Sequence, residues 1–347
     1  RCSYRNRNMK KLKYIIPLII GLFVVFVFVI FSKNNLQSND TLKGNLTSDQ
    51  DQGGLQTNDN PYSIEYLQKQ DYPGSDLIIE QTLSPGSNYN KYIASYRSEG
   101  LKIFAFLTVP TAQKPEAGFP VILFNHGYIP PTQYRTAERY EAYVDGFARN
   151  GYIVLKSDYR GHGNSEGTAE GGHTSPAYTI DVLNALSSVK RYKDANPQKI
   201  GMWGHSMGGS VTLRALELTN DIKVASIWAG TVGSINNSSG GNRSGGSGRH
   251  GASRLEEQFG TLETNPKFWS EIEPLNYLQT INAPIQIQHG SADEEVNPQV
   301  SINLKQKLEE LNKSVTYFTY EGDDHNISKN VAIALSRDIA FFDTYLK

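Results

Sequence analysis

One serine stands in a sequence context that is typical of an activated nucleophile. Residues 204–209 read Gly-His-Ser-Met-Gly-Gly, after a short apolar run and before a helical stretch. A strand, a Gly-x-Ser-x-Gly turn and a helix in this order hold the serine in a strained conformation with its hydroxyl exposed. The start of the helix adds amide donors that stabilise negative charge on a substrate oxygen. The pattern therefore predicts that Ser206 attacks carbonyl carbon atoms and becomes acylated.

A serine hydroxyl also needs a base to remove its proton and a carboxylate to orient that base. Asp293 follows one predicted strand, and His325 follows the next strand along the chain. The order serine, aspartate, histidine, each just past a strand, predicts His325 as the general base and Asp293 as its acid. Asp323 and Asp324 are alternative acids, but they are too close in sequence to His325 to reach its far ring nitrogen easily.

Two backbone amides are the expected donors to the oxyanion of the acyl-transfer intermediate. One is the N–H of Met207, directly after the nucleophile. The other is the N–H of Tyr128, after Gly127 in the loop that follows the predicted strand 119–125. Glycine there allows the backbone to approach closely. We expect four side chains to contact the substrate: Tyr128, His205, Trp228 and Trp269.

Composition excludes several other kinds of chemistry. The chain has 347 residues with 34 Lys and Arg against 35 Asp and Glu, so nothing favours nucleic acid as a partner. Its one cysteine, Cys2, lies before the predicted folded region, so we expect no intramolecular disulfide and no cysteine catalysis. The sequence has no metal-ligand cluster, phosphate-binding loop or cofactor motif. We therefore expect no metal and no cofactor, and serine acyl transfer needs neither.

The elements that must position these residues follow an alternating pattern. Three antiparallel strands come first, and then strands and helices alternate, which predicts an α/β fold: a mostly parallel sheet with helices on both faces. The predicted strands are residues 76–82, 89–97, 101–109, 119–125, 152–157, 199–203, 224–228, 284–288 and 314–320. The predicted helices are residues 134–150, 178–193, the stretch after Ser206, 298–312 and 326–346.

A long insertion interrupts this alternation at about residues 231–283, which we call the cap segment. Its first half is mostly Gly, Ser and Asn, and its second half contains Phe259, Phe268 and Trp269. An insertion after a core strand is typical of a lid over the active site, with a mobile first half and an apolar second half that shapes the acyl pocket. The alternative is a surface loop without a role.

The N-terminal residues predict a membrane anchor. Residues 14–31 form an uncharged apolar run that is about long enough to cross a bilayer, and basic residues precede it. We expect residues 1–13 in the cytoplasm, a signal-anchor helix at 14–31, a disordered stalk at 32–60 and a catalytic domain at 61–347 outside the cytoplasm. The alternative is a cleaved signal and a secreted enzyme.

Taken together, these motifs resemble the α/β-hydrolase superfamily over roughly residues 75–347. Besides residues 204–209, the resemblance depends on Asn-His-Gly at 125–127, Asp-Tyr-Arg-Gly-His-Gly-Asn-Ser at 158–165 and His-Gly-Ser-Ala-Asp-Glu-Glu-Val at 289–296. The C-terminal half is similar to the catalytic domain of the prolyl-oligopeptidase family, and Arg-Gly-His-Gly is shared with monoacylglycerol lipases and lysophospholipases. The resemblance implies an α/β-hydrolase fold and a serine hydrolase.

The preferred interpretation is a carboxylesterase or lipase-like enzyme that cleaves small acyl esters through an acyl-enzyme. One alternative is a peptidase, such as an aminopeptidase, although too few residues separate the stalk from the sheet for a propeller domain that would gate peptides. Feruloyl or polyester hydrolysis and a non-catalytic membrane-tethered binding protein are further alternatives. A peptidase would need a fixed charge for the substrate amine, for which the cap segment offers Glu256, Glu257, Glu263, Glu271 and Glu273.

Overall fold

A nine-stranded β-sheet carries the residues on which the predicted chemistry depends. The computed structural model describes residues 60–172, 174–235 and 254–347. The spatial order of the strands is β1-β2-β3-β5-β4-β6-β7-β8-β9. Their bounds are β1 Ile78–Leu83, β2 Tyr89–Ser98, β3 Leu101–Pro110, β4 Phe119–Asn125, β5 Ile153–Ser157, β6 Ala195–His205, β7 Val224–Trp228, β8 Ile285–Gly290 and β9 Val315–Tyr320.

The sheet is antiparallel at one edge and parallel elsewhere. β1, β2 and β3 pair antiparallel, and β3 pairs antiparallel with β5. From β5 through β4 and β6 to β9 every neighbouring pair is parallel. Every residue of β4, β5, β7 and β8 is buried, as expected for strands covered on both faces. The predicted mostly parallel sheet is confirmed.

Helices cover both faces of this sheet. One apolar core contains Val182, Leu213 and Leu304, and a second contains Phe147 and Phe342. These side chains belong to helices on opposite sides of the strands, so the prediction of two helical layers is also confirmed. The helices are α1 Ile64–Leu67, α2 Glu141–Arg149, α3 Ala177–Lys190, α4 Met207–Leu218, α5 Pro266–Ile272, α6 Gln299–Glu310 and α7 Val331–Leu346.

Helix α2 differs from its prediction, because it begins at Glu141 and not near residue 134. Residues 134–140 form a loop that ends with Arg139 and Tyr140 at φ values of 59° and 54°. The buried ammonium of Lys156 donates to the carbonyl oxygens of Glu138 and Arg139 at 2.9 and 3.2 Å. Tertiary hydrogen bonds from β5 therefore outweigh the local preference of this stretch for a helix.

The described part of the cap segment packs as a small unit. Residues 254–259 are helical, α5 follows, and two short 3₁₀ turns span Pro274–Asn276 and Leu278–Thr280. Phe259 and Phe268 stack with Trp269 beside them, and Tyr62 from the N-terminal side joins this cluster. Most of the Gly- and Ser-rich half lies outside the described residues.

The predicted cytoplasmic segment, signal-anchor and nearly all of the stalk also lie outside the described residues. Among the helices of residues 60–172, 174–235 and 254–347, none is both long and apolar enough to span a lipid bilayer.

Candidate active site

Ser206 lies in a strained turn between β6 and α4. Its φ and ψ are 55° and −121°, a conformation that non-glycine residues rarely adopt. A side chain at Gly204 would overlap the carbonyl oxygen of Gly208, and one at Gly208 would overlap the carbonyl of Asn125. The glycines therefore let strand, helix and neighbouring loop meet closely around Ser206, which is the geometry of a nucleophile elbow.

Asp293 and His325 form a direct hydrogen-bonded pair. Nδ1–H of His325 donates to Oδ2 of Asp293 at 2.7 Å, and both residues are buried. Oδ1 of Asp293 accepts the backbone N–H groups of Glu295 and Val296 at 2.8 and 2.9 Å. This pairing fixes the imidazole with Nε2 as the nitrogen left for proton transfer, which is the arrangement that a general base requires.

The electrostatics of Asp293 keep it ionised. Burial would raise the pKa of its carboxyl, but hydrogen bonds from His289, His325 and the amide of Val296 lower that pKa well below its usual range. A carboxylate that stays charged at neutral pH can stabilise the imidazolium that forms when a base accepts a proton.

His289 is a second histidine on the same carboxylate, and the sequence analysis did not single it out. Its Nε2 lies 2.9 Å from Oδ2 of Asp293 and 3.1 Å from the carbonyl oxygen of Val296. Both neighbours accept hydrogen bonds, so Nε2 carries the proton, and Nδ1 accepts from the hydroxyl of Ser301 at 2.7 Å. The only signal in the sequence is its place four residues before Asp293, at the end of β8.

The two alternative acids are committed elsewhere. Asp323 accepts the backbone N–H groups of Lys329 and Asn330 at 3.0 and 3.1 Å. Asp324 accepts those of Asn326 and Ser328 at 3.1 and 2.9 Å. Both carboxylates thus hold the turn that leads from β9 towards α7.

The loop after β4 packs against Ser206. A Cβ added to Gly127 would lie 3.1 Å from Cβ of Ser206 and 2.6 Å from the hydroxyl of Tyr140. The Gly127 N–H donates to that hydroxyl at 2.9 Å. The next residue, Tyr128, donates its N–H to no acceptor among the described residues, and Met207 N–H opens α4, where no intrahelical acceptor exists. These are the two amides expected at the oxyanion.

The four side chains expected to contact a substrate differ in accessibility. The ring of Tyr128 is 51% exposed, whereas His205, Trp228 and Trp269 are buried. Trp228 donates its indole N–H to Asp338, on the α7 side of the sheet, and Trp269 donates to the carbonyl of Gly260 inside the cap cluster. Of these four side chains, Tyr128 is therefore the accessible one, and the other three are packed inside the protein.

One exposed carboxylate, that of Glu295, lies near the imidazole of His325. Oε2 of Glu295 is 3.8 Å from Nε2 of His325, and its side chain is 71% exposed. The buried carboxylate of Glu273, in the cap segment, instead accepts from the hydroxyl of Ser234 and the N–H of Ile235. Glu271 pairs with Lys267 at 3.5 Å. Within the described ranges, no group of three His, Cys, Asp or Glu side chains could hold a metal ion.

Comparison with known proteins identifies the family of this chain. Residues 139–347, more than half of the chain, match the prolyl oligopeptidase family. The chain belongs to the prolyl oligopeptidase family. As a member it is a serine hydrolase with the α/β-hydrolase fold. The family match includes Ser206, Asp293 and His325, whereas the Gly127–Tyr128 loop precedes it.

Individual relatives of this family member include both peptidases and esterases. The uncharacterized peptidase YtmA of Bacillus subtilis is 24% identical over 72% of this chain and 92% of its own. A puromycin-hydrolyzing peptidase of Mycobacterium tuberculosis has a TM-score of 0.63 and 22% identity, covering 76% of this chain. This chain spans about 40% of that peptidase. An acetyl xylan esterase from Paenibacillus sp. R4 has a TM-score of 0.64 and 19% identity, covering 84% of this chain and 96% of its own.

Proposed function

We propose that this family member is a carboxylesterase that cleaves small acyl esters through an acyl-enzyme on Ser206. The observation that carries the proposal is the buried Asp293–His325 pair, whose hydrogen bond is 2.7 Å long. This pair follows the carboxyl ends of β8 and β9, and the strained Ser206 follows the carboxyl end of β6. An ester asks less of such a site than an amide, because an alcohol leaves more readily than an amine. The likeness in fold to an acetyl xylan esterase, over nearly the whole of that chain, favours the same substrate class.

In the proposed mechanism, neutral His325 takes the proton of Ser206 through Nε2 while the hydroxyl oxygen attacks the ester carbonyl. Asp293 holds the imidazole and stabilises its charged form. The oxyanion accepts hydrogen bonds from the N–H groups of Met207 and Tyr128. His325 then returns the proton to the leaving alcohol, and water, activated by the same base, releases the acid.

A second candidate is a peptidase that recognises a free amino terminus. It is favoured by Glu295, whose carboxylate lies 3.8 Å from Nε2 of His325 and remains exposed to a ligand. A substrate ammonium group next to the scissile bond would gain an opposite charge there. The buried Glu273 cannot play this part, because its Oε2 accepts from Ser234 and Ile235 and its Oε1 accepts from the N–H of Leu275.

The two candidates predict different responses to one set of substrates. We would assay p-nitrophenyl esters of rising acyl length beside aminoacyl p-nitroanilides, with Ser206→Ala as the blank. For an esterase, kcat/KM is higher for the neutral esters, and Glu295→Gln changes it no more than Glu294→Gln, its exposed neighbour. If the anilides are preferred and Glu295→Gln alone lowers their kcat/KM at least about tenfold, the peptidase candidate replaces the esterase.

We further propose that the uncharged run 14–31 tethers the enzyme to the cell membrane with its catalytic domain outside the cytoplasm. The basic residues before this run support that orientation. Full-length protein should sediment with membranes, and protease added to intact cells should remove the hydrolase. Recovery of full-length protein in the cytosol would contradict the proposed topology, and recovery in the medium would favour cleavage of the signal.

A further inference from the structure

Three residues connect the loop after β4 with the loop that carries the base. The N–H of Gly127 donates to the hydroxyl oxygen of Tyr140 at 2.9 Å. That hydroxyl lies 2.7 Å from Nδ1 of His205. Nε2 of His205 lies 3.0 Å from the carbonyl oxygen of His325. Hydrogen bonds therefore link Gly127 to Tyr140, Tyr140 to His205 and His205 to the backbone of the base.

The chemistry of these atoms determines which one donates in each of the three hydrogen bonds. A carbonyl oxygen only accepts, so Nε2 of His205 carries its hydrogen. Burial, and then the nearby His325, lower the pKa of His205 to about 3, so the ring is neutral and Nδ1 accepts. Tyr140 must then donate its hydroxyl hydrogen to Nδ1, which leaves its oxygen free to accept from Gly127. Each of these three hydrogen bonds then has one donor and one acceptor.

Tyr140 is held in place by groups that otherwise have no part in the mechanism. It has φ 54° and follows Arg139 at φ 59°, a costly conformation for two consecutive non-glycine residues. Lys156 bonds the carbonyls of Glu138 and Arg139 just before it. Asp158 accepts from the hydroxyls of Tyr134 and Thr136 in the same loop. The end of β5 thus stabilises the strained segment that aims Tyr140 at Gly127.

We propose that Tyr140 and His205 are positioning residues that set the oxyanion loop against the nucleophile. Gly127 lies so close to Ser206 that a small displacement of its backbone changes the space in which the oxyanion forms. The N–H of Tyr128 belongs to the next peptide unit, so its direction depends on where Gly127 is held. Tyr140 fixes Gly127, and His205 fixes the rotation of the Tyr140 hydroxyl.

The test measures the rate at which a fluorophosphonate labels Ser206, followed by mass spectrometry, together with kcat and KM on an ester. Tyr140→Phe removes the hydroxyl that holds Gly127. His205→Gln keeps a donor for the carbonyl of His325 but loses the acceptor for Tyr140. His205→Asn keeps that acceptor and loses the donor. The His205 variants give the answer if Tyr140→Phe does not fold.

We expect Tyr140→Phe and His205→Gln each to slow labelling about 10- to 100-fold, less than the loss of a whole oxyanion donor. The fall should appear in kcat, with KM within about twofold, because the oxyanion forms only in the transition state. The double variant should be no slower than Tyr140→Phe alone, since both changes break the same link. His205→Asn, which keeps the acceptor for the Tyr140 hydroxyl, should slow labelling less than His205→Gln does.

Tyr143→Phe is the matched control. Its ring also packs on Trp203, but its hydroxyl donates to the carbonyl of Asn326 at 3.3 Å and touches neither Gly127 nor His205. This control should label at the wild-type rate, with all variants checked for native circular dichroism.

The proposal rests on the proposed function in that Ser206 is taken as the nucleophile, but not on the choice of ester. Wild-type protein that is not labelled at Ser206 refutes that nucleophile and the positioning role together. Labelled wild-type protein without ester turnover refutes the esterase alone. A folded Tyr140→Phe that labels at the wild-type rate, or losses that multiply with His205→Gln, overturns the positioning role.

Discussion

Asp293 differs from the nearby aspartates in what its oxygens contact. One oxygen meets two imidazoles and the other meets two backbone amides, whereas Asp323 and Asp324 accept mainly from backbone N–H groups of a turn. Asp293 therefore contacts the imidazole of His325, the proposed base, whereas Asp323 and Asp324 stabilise the turn after β9. The two roles separate in a kinetic experiment.

We therefore expect Asp293→Asn to lower kcat by roughly 10³- to 10⁴-fold with the fold intact, because an amide favours the wrong tautomer of His325. Asp324→Asn should change kcat by less than about threefold, as expected of a largely exposed residue that contacts no reacting group. Steady-state kinetics and circular dichroism on both variants make the comparison. Greater damage from Asp324→Asn would mean that the acid is assigned to the wrong residue.

His205 also predicts how stability responds to acid. Its pKa is about 3 in the folded protein, against about 6.5 for an unfolded histidine, so the unfolded chain binds more protons between these values. Stability from this residue is complete above pH 6.5 and is lost at about 1.4 kcal/mol per pH unit as the pH falls towards 3. The His205→Gln variant does not lose this stability, because glutamine does not take up a proton in this pH range.

Urea unfolding at pH 6.5 and pH 4.5 should therefore show the wild type losing roughly 2 to 3 kcal/mol more than His205→Gln over this interval. Using the difference between the two proteins cancels the other titrating groups, including Asp338. Equal losses in the two proteins would show that His205 is not held neutral by the fold.

The sequence was informative about residues in local motifs and silent about partners distant along the chain. Ser206, Asp293 and His325 could be proposed because each follows a predicted strand, and the structure brings Asp293 and His325 into contact. Trp228 ends a strand beside the motif, yet its partner Asp338 is 110 residues away, so its burial behind the sheet could not be foreseen.

At the level of elements, Asp338 of α7 joins three strands that carry the site. Its two oxygens accept from five side chains on β6, β7 and β8: Trp203, Ser226, Trp228, Gln286 and Gln288. Burial raises the pKa of this carboxyl to about 7, although these hydrogen bonds oppose that rise. β6, which leads to Ser206, and β8, which leads to Asp293, are thus both hydrogen-bonded to the side chain of Asp338.

Asp338→Asn should destabilise the protein by about 2 to 5 kcal/mol, because amide hydrogens would face donors in a buried site. Glu309→Gln on α6, which breaks an exposed pair with Lys305, should change stability by less than about 0.5 kcal/mol. Thermal and urea unfolding of both variants measure this. A neutral Asp338→Asn would mean that the network adds nothing to stability.

Strands were easier to predict than the loop before α2, and the reason is physical. Short apolar runs that are buried on both faces of a sheet are easy to recognise in a sequence. β4 and β7 are fully buried runs of this kind, and both have the predicted bounds. Residues 134–140 have a composition that favours a helix, but they form hydrogen bonds with Lys156 of β5 and with Asp158, the residue after β5. The residues within 134–140 alone do not predict these hydrogen bonds, because the partners lie about 20 positions further along the chain.

At the scale of the whole molecule, the first described residues belong to the folded unit. Ile64 and Leu67 of α1 are buried, and the ring of Tyr62 packs on Phe259 and Phe268 of the cap segment. The side chain of Asn60 donates to Glu271 at 3.2 Å. Residue 60, at the end of the predicted stalk, therefore contacts the folded unit.

A chain that begins at residue 58 should unfold as stably as longer forms, whereas one that begins at residue 69 should lose several kcal/mol. Burial of a side chain such as Ile64 or Leu67 contributes about 1.5 to 3 kcal/mol. Unfolding midpoints of the two truncated chains provide the measurement. Equal midpoints would show that the contacts of residues 60–68 do not stabilise the folded protein.

The positions of the three tryptophans give the protein two separate optical reporters. Trp203 of β6 and Trp228 of β7 have ring centroids 5.5 Å apart in the core between the sheet and α7. Trp269 lies in the cap segment. Trp269→Phe leaves emission from the sheet alone, and subtracting its spectrum from that of the wild type isolates the emission of the cap segment. Any movement of that segment during turnover would therefore be visible as a fluorescence change without an attached dye.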